Sequence, residues 1–182
     1  YSGLIDEVRI YNRALSPAEV KALYEWAPGP VAHYTFDDSS NSSTVADMSG
    51  YGNNGTWSGS STNRYAAGKY GSAGVFNGSD DYVNAGSPAS LNITSAITLE
   101  AWIKPASTIS GQQWVVGKYD WQVGGAFLWV TGTNAVVAGF EYAGGSANKA
   151  TDSNTLIPNQ WNHIAMTYNN ANIYLYVNGV LK

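Results

Sequence analysis

The sequence contains no cysteine, few charged residues and no long apolar segment. The lack of cysteine excludes disulfide bonds, zinc–thiolate sites and cysteine catalysis. Charged residues make up only 12% of the chain, about half of the roughly 25% that is usual in soluble proteins. Acidic residues outnumber basic ones by 13 to 9, and the net charge of −4 excludes the basic surface of a nucleic-acid-binding protein. No apolar run approaches the roughly 20 residues of a membrane span, so we predict no membrane insertion.

Aromatic residues and glycine are abundant instead. The 182 residues include 7 Trp, 13 Tyr and 20 Gly, and the hydrophobic fraction of 44% excludes a disordered chain. A chain of this length buries roughly 70% of the surface that it would expose when unfolded, so it needs no metal merely to fold. Low charge with many aromatics and glycines predicts a β-rich, ligand-binding protein that is secreted or displayed on a cell surface.

From Val31 onward the sequence has the pattern of short strands. The clearest is Ile97–Ile103, where Ile97, Leu99, Ala101 and Ile103 fall on one face. Further strands are predicted at residues 31–36, 74–77, 82–85, 114–118, 126–131, 136–142, 162–168 and 173–177. We predict a hairpin turn at residues 78–81 and a two-residue hairpin at Asn178-Gly179. These strands predict an all-β fold, a two-sheet antiparallel jelly-roll sandwich.

Residues 1–27 are predicted to form a unit separate from the strands that follow. A strand is predicted at residues 4–11, and one short helix at Pro17–Trp26. Ser16 is a suitable cap for this helix, Pro17 suits its first position, and Glu19 completes a capping box. We therefore divide the chain into residues 1–27, a linker at 28–30 and a domain at 31–182.

Six stretches resemble, in order, the laminin G-like, concanavalin A-like lectin/glucanase superfamily in its bacterial form. They are Val31–Asp38, Asp47–Thr56, Val75–Val83, Leu99–Pro105, Trp161–His163 and Leu175–Gly179. Residues 3–16 resemble the closing strand and helix of that family, but here they stand first. They are either the tail of a preceding repeat in a tandem array or the permuted end of the same domain. If this segment paired with a neighbouring molecule, a strand-swapped self-association would result.

The residues of catalytic glucanases in this superfamily are missing. Those enzymes carry Glu-x-Asp-x-x-Glu on one strand, and no such spacing occurs here. Glu100 is isolated on its strand and is expected to be a surface or Lys-paired carboxylate. We expect His33 and His163 to have structural roles. The sequence therefore predicts no catalytic residues and no enzymatic activity.

The resemblance implies a calcium ion that joins the beginning of the domain to its end. Calcium prefers six to eight oxygen ligands on an irregular loop. The predicted ligands are Asp37, at the end of the first strand, Asp47 and Asn53, in a glycine-rich loop, and Asp6. The alternative is that these Asp and Asn residues only form turns.

Exposed Trp and Tyr side chains are the typical stacking surfaces for sugar rings. Tyr119 and Trp121 lie two residues apart and form the preferred pair, with Trp114 and Tyr142 as further candidates. Trp102 and Trp161 are expected in the core. About half of the aromatic residues on strands should point inward.

The predicted function is a non-catalytic, calcium-stabilised module of a larger secreted or cell-surface protein. It would bind a polysaccharide or the glycan of a glycoprotein, or serve adhesion. The alternatives are a structural spacer or protein–protein adhesion repeat without sugar affinity, and a glycan-degrading enzyme. A fold of this kind hosts all three functions and does not by itself decide between them.

Overall fold

The computed structural model describes residues 13–17, 20–21, 29–38, 42–118, 124–142, 147–153 and 155–182. Within these ranges the chain forms thirteen strands and a short 3-10 helix at Ala89–Leu91. The strands are β1 (Thr44–Val45), β2 (Gly55–Ser58), β3 (Tyr65–Ala67), β4 (Ser72–Gly74), β5 (Tyr82–Asn84), β6 (Ile97–Ile103), β7 (Gln112–Gly117), β8 (Gly124–Thr131), β9 (Val136–Tyr142), β10 (Ala147–Asp152), β11 (Asn162–Tyr168), β12 (Ile173–Val177) and β13 (Val180–Leu181).

Two four-stranded antiparallel sheets make up most of the structure. The front sheet has the order β10-β9-β8-β7, and the back sheet has the order β13-β12-β11-β6. Strands β1, β2 and β5 form a smaller sheet, and β3 pairs with β4 in a hairpin. All of these pairings are antiparallel, which confirms the predicted fold class.

The hydrophobic core lies between the front and back sheets. Leu128 and Ala138 of the front sheet pack in one buried cluster with Ile164 and Leu175 of the back sheet. The predicted apolar face of β6 is confirmed, since Ile97, Leu99, Ala101 and Ile103 all pack against this cluster. Because side chains alternate along a strand, the intervening residues of these strands lie on the outer faces of the sandwich.

The predicted Asn178-Gly179 hairpin is confirmed. Val177 pairs with Val180 across the turn, and Asn178 and Gly179 have φ angles of 52° and 77°. Two consecutive residues with positive φ are the requirement of a type I′ turn, which is why Asn-Gly predicts it well.

The predicted hairpin at residues 78–81 is wrong. Strand β5 pairs with β2, and β4 pairs with β3, so the two flanking segments do not pair with each other. The Asn77 Oδ1 atom instead accepts the backbone N–H groups of Ser79, Asp80 and Asp81. The side chain of Asn77 therefore closes this segment as a loop.

The predicted strand at residues 31–36 is also wrong, because this segment does not form a strand. Phe36 has a φ angle of 58°, which ends the extended conformation. The backbone of His33 bonds instead to the following loop, where its N–H meets Asp47 and its carbonyl accepts the N–H of Met48. Side-chain and loop partners replace a strand ladder here.

Most of the predicted N-terminal unit lies outside the described residues, including the strand at 4–11. In the predicted helix, Pro17, Val20 and Lys21 are helical, and the Val20 N–H donates to the Ser16 carbonyl at 3.0 Å. The division into residues 1–27, 28–30 and 31–182 stays a prediction.

Candidate functional site

An aromatic cluster covers the outer face of the front sheet. Phe127 and Trp129 alternate on β8 with the core residue Leu128, and Trp114 of β7 lies directly opposite Trp129. The rings of Phe127 and Trp129 stack with centroids 4.3 Å apart. Trp114 meets both rings edge-on, at 5.8 and 5.1 Å. We call these three residues the front cluster.

Gly139 makes room for the front cluster. It lies opposite Phe127 in the ladder between β8 and β9, and a Cβ atom there would be 2.2 Å from the Phe127 Cζ atom. A glycine inside a strand typically marks such a close approach. Phe127 is consequently fully buried although it lies on an outer face, whereas the Trp114 side chain is 49% exposed above it.

Polar groups surround the front cluster. The Lys149 Nζ atom lies 5.5 Å from the centroid of the Trp129 ring. On the other side, Gln112 pairs with Thr131 at the end of the β7–β8 ladder, and Gln112 is exposed. The arrangement combines a half-exposed aromatic side chain with a cation, an amide and a hydroxyl. Stacking on a sugar ring and hydrogen bonds to its hydroxyl groups require these groups.

The structure separates the two described members of the predicted sugar site. Tyr142 lies on the opposite face of the front sheet from Trp114, beside Phe140, at a ring distance of 5.7 Å. Its hydroxyl group hydrogen-bonds with that of Tyr168 at 2.9 Å, and this bond, with burial, raises the pKa of Tyr168. The preferred pair, Tyr119 and Trp121, lies outside the described residues.

A second exposed aromatic cluster lies on the outer face of the back sheet. Trp102 of β6 pairs with His163 of β11, and their rings are 5.2 Å apart. Trp102 is 41% exposed, so its expected place in the core is wrong, whereas Trp161 is partly buried. The alternation of residues along β6 already predicts that Trp102 faces outward. If Ala101 and Ile103 face the core, strand alternation directs Trp102 outward.

Asp47 organises the glycine-rich loop through hydrogen bonds. Its Oδ1 atom accepts the N–H groups of His33 and Ser49, both at 2.9 Å. Its Oδ2 atom accepts the Ser49 hydroxyl at 2.7 Å and the Asn53 N–H at 2.8 Å. Burial acts to raise the pKa of Asp47, but these hydrogen bonds together outweigh it and hold the pKa below its usual value.

The two other described members of the predicted calcium set bond to different segments. Asn53 is buried, donates to the Val31 carbonyl at 2.7 Å and accepts the Ser90 hydroxyl at 2.9 Å. Asp37 is exposed, and its Oδ1 atom accepts the Ser72 N–H at 2.7 Å. Asp6 lies outside the described residues.

The Asp47 side chain does not fit a calcium site. A carboxylate has about four lone-pair positions, and the four donors around Asp47 use them. The three backbone N–H groups that point at Asp47 would also repel a cation. Among the described residues, no group of three Asp, Glu or His side chains is placed to hold a metal. The calcium ion therefore stays a prediction that depends on Asp37, Asn53 and Asp6.

Glu100 is a surface carboxylate, as expected. Its side chain is 68% exposed, and its Oε2 atom lies 3.5 Å from the Nε2 atom of His163. The partner is thus a histidine rather than a lysine. A separate open groove of about 410 Å³ is lined by Gly59, Ser60, Ser61, Thr62 and Arg64.

Two four-stranded sheets around one core, with aromatic residues on the outer faces, define a lectin-like β-sandwich. A laminin G-like family model, described as the concanavalin A-like lectin/glucanases superfamily, matches residues 77–182, which include both sheets. The chain belongs to this superfamily. The resemblance of residues 3–16 and 31–56 lies outside the match and stays a prediction. No curated protein and no solved structure matches the chain.

Laminin G-like domains of this superfamily are carbohydrate-binding or adhesion modules. They are typically non-catalytic, although the superfamily includes glycosidases, and they are commonly extracellular. Where the structure describes the chain, it contains no helix with the length and hydrophobicity needed to cross a membrane.

Proposed function

We propose that this protein is a non-catalytic glycan-binding module whose binding surface is the front cluster. The observation that supports this most directly is Trp114, a half-exposed indole that stands on the outer face of a sheet against the stacked Phe127 and Trp129 rings. The exposed half of this side chain suits the C–H face of a pyranose. Lys149 and Gln112 at the margin suit the hydroxyl groups.

The packing of the sandwich alone does not account for this cluster. The outer face of a sheet is ordinarily polar, since only the inner face contributes to the core. Here three large aromatic side chains occupy adjoining outer positions of β7 and β8. Phe127 and Trp129 hold Trp114 in a fixed orientation, which reduces the entropy that the side chain loses when a ligand binds.

A non-catalytic role agrees with the described carboxylates. Glu100 is exposed and pairs with His163, and Asp47 is occupied by four hydrogen bonds. A general acid needs a buried or paired environment that raises its pKa, whereas the pKa of Asp47 is lowered. The three residues of the front cluster carry no carboxylate, and we assign recognition, not hydrolysis, to it.

The test is affinity gel electrophoresis on the neutral polysaccharides selected by a glycan array, with Trp114→Leu and Trp114→Ala. Leucine keeps apolar contact with Phe127 but removes the aromatic face. Both variants should lose retardation, while Tyr82→Ala, which removes an exposed tyrosine from β5, should keep it. Thermal melts show whether each variant is folded.

Retention of wild-type affinity by a folded Trp114→Leu would refute the front cluster as the site. If the wild-type protein bound no glycan on the array, the proposed function itself would fail. A spacer or protein–protein adhesion role would then take its place.

A further inference from the structure

We propose that the outer face of the back sheet holds a second glycan site, selective for sugars that carry a carboxylate or sulfate group. It consists of Tyr70, Trp102 and Lys69, with His163 and Glu100 beside them, and we call it the back cluster. It lies across the sandwich from the front cluster and has a different ligand chemistry, so it goes beyond the function proposed above.

The back cluster is assembled from two separate parts of the chain. Strand β6 supplies Trp102, and the tip of the β3–β4 hairpin supplies Lys69 and Tyr70. The Gly68 N–H donates to the Gly71 carbonyl at 2.9 Å and closes this tip. The Tyr70 ring then meets the Trp102 ring edge-on, with centroids 6.3 Å apart.

Tyr70 is placed where burial does not explain an aromatic residue. The tips of surface hairpins usually carry Gly, Asn, Asp or Ser, which suit tight turns. Tyr70 is 72% exposed, and the neighbouring Trp102 is 41% exposed. Together they present an uncovered aromatic surface that is rigid on the Trp102 side and suits the apolar face of a sugar ring.

Lys69 defines the class of ligand. Its Nζ atom lies 4.8 Å from the centroid of Trp102 and 5.9 Å from that of Tyr70. Within the part of the chain that the structure describes, Lys69 forms no salt bridge, and the exposed Glu100 carboxylate lies 3.5 Å from the Nε2 atom of His163. The two rings therefore hold an exposed cation that forms no ion pair with a described carboxylate.

A pyranose that stacks on Tyr70 would bring its ring substituents close to this ammonium group. A carboxylate or sulfate on the ring would form a charge-assisted hydrogen bond with Lys69, stronger than one from a neutral hydroxyl group. The net charge of −4 works against anionic polymers at long range. Selectivity for them must therefore come from this direct contact.

The experiment measures the affinity of the whole chain for three kinds of polymer by affinity electrophoresis. Polygalacturonate, alginate and hyaluronate represent uronates, dextran sulfate represents sulfate esters, and dextran is the neutral counterpart. We expect one anionic class to bind at least about tenfold more tightly than dextran. The class that binds distinguishes carboxylate from sulfate as the source of the anion.

The variants separate stacking from charge. Tyr70→Ala, at an exposed tip, should weaken binding of the anionic polymer about tenfold, which is about 1.4 kcal/mol. Lys69→Gln should reduce the affinity for the anionic polymer to that for dextran and remove the salt dependence of binding. Lys69→Arg should keep the wild-type affinity and its salt dependence. A cation that only covered Trp102 would affect the melting temperature but not the salt dependence.

Several outcomes would overturn the proposal. These are binding of no anionic polymer, equal binding of dextran, or wild-type affinity in Lys69→Gln. Concentration-dependent dimerisation that Tyr70→Ala abolishes would show that a second copy of the chain covers the face instead. Trp114→Leu should leave anionic binding unchanged, so failure of the front cluster and failure of the back cluster give different results.

Discussion

Replacement of Asp47 by alanine tests whether one carboxylate holds the segment before β1 in place without a metal. The side chain receives the N–H groups of His33, Ser49 and Asn53 and the hydroxyl group of Ser49. It thereby links His33, in the segment before β1, to Ser49 and Asn53 of the glycine-rich loop. Removal of the carboxylate leaves three backbone donors without their acceptor.

The expected loss follows from the number of hydrogen bonds. A hydrogen bond contributes about 1 kcal/mol net, and the donors around a partly exposed side chain regain some water when it is removed. Four such bonds give a loss of about 3 kcal/mol for Asp47→Ala. A domain of 150–250 residues loses about 2–4 °C in Tm per kcal/mol, so Tm should fall by about 6–12 °C. Asp47→Asn keeps one oxygen, which accepts one of the two donor pairs, and should lose about half as much.

The effect should decrease in acid. Because the folded state holds the pKa of Asp47 below its usual value, the stabilisation is complete above the unfolded-state pKa of about 3.9 and is lost as the pH falls through the folded-state pKa. The difference in Tm between wild-type and Asp47→Ala proteins should therefore be larger at neutral pH than in acid.

Differential scanning calorimetry across this pH range measures both effects. Asp80→Asn is the matched control, since the described residues that donate to the Asp80 carboxylate do so through two side chains, those of Ser60 and Asn77. Its Tm should remain close to that of the wild-type protein. A shift of less than about 2 °C in Asp47→Ala at neutral pH, or a difference that does not decrease in acid, would refute the reasoning.

Two further predictions concern the calcium site and the front cluster. If Asp37 and Asp6 hold calcium as the resemblance implies, a chelator should lower Tm by several degrees, and added calcium should restore it. Asp37→Asn should abolish this effect of the chelator, whereas Asp47→Asn should leave it in place. Elemental analysis that finds no bound calcium would contradict the prediction. Gly139→Ala should destabilise the protein by about 1–3 kcal/mol, because its Cβ atom would lie 2.2 Å from Phe127. Thermal melts and tryptophan fluorescence measure this loss, and an unchanged melt with unchanged emission would contradict the packing described for Phe127 and Trp129.

The strands that the sequence predicts best are those whose own residues specify them. The bounds of β6, β9, β11 and β12 agree with the predicted segments to the residue. In each, apolar residues recur at strand spacing or fill a buried run, and turn-forming residues stand at the ends. The local residue pattern is sufficient to predict a strand where its apolar positions are also the positions that the fold buries.

The elements that were missed depend on partners. Strand β10 (Ala147–Asp152) has little apolar character and pairs at the edge with β9. Residues 31–36 alternate as a strand would, but their backbone groups bond to Asp47 and its loop instead of a neighbouring strand. In both cases tertiary pairing overrides the local pattern.

The candidate sites also differ in how far the sequence predicts them. Trp114 was identified by residue type, and its outward orientation follows from its pairing with Trp129. The back cluster could not be read from local spacing, since Lys69 and Tyr70 precede Trp102 by more than thirty positions. Their approach depends on the β3–β4 hairpin, which is fixed to the segment before β1 by the bond between Ser72 and Asp37. A binding surface made by docking one hairpin against another sheet becomes visible only when the tertiary structure is known.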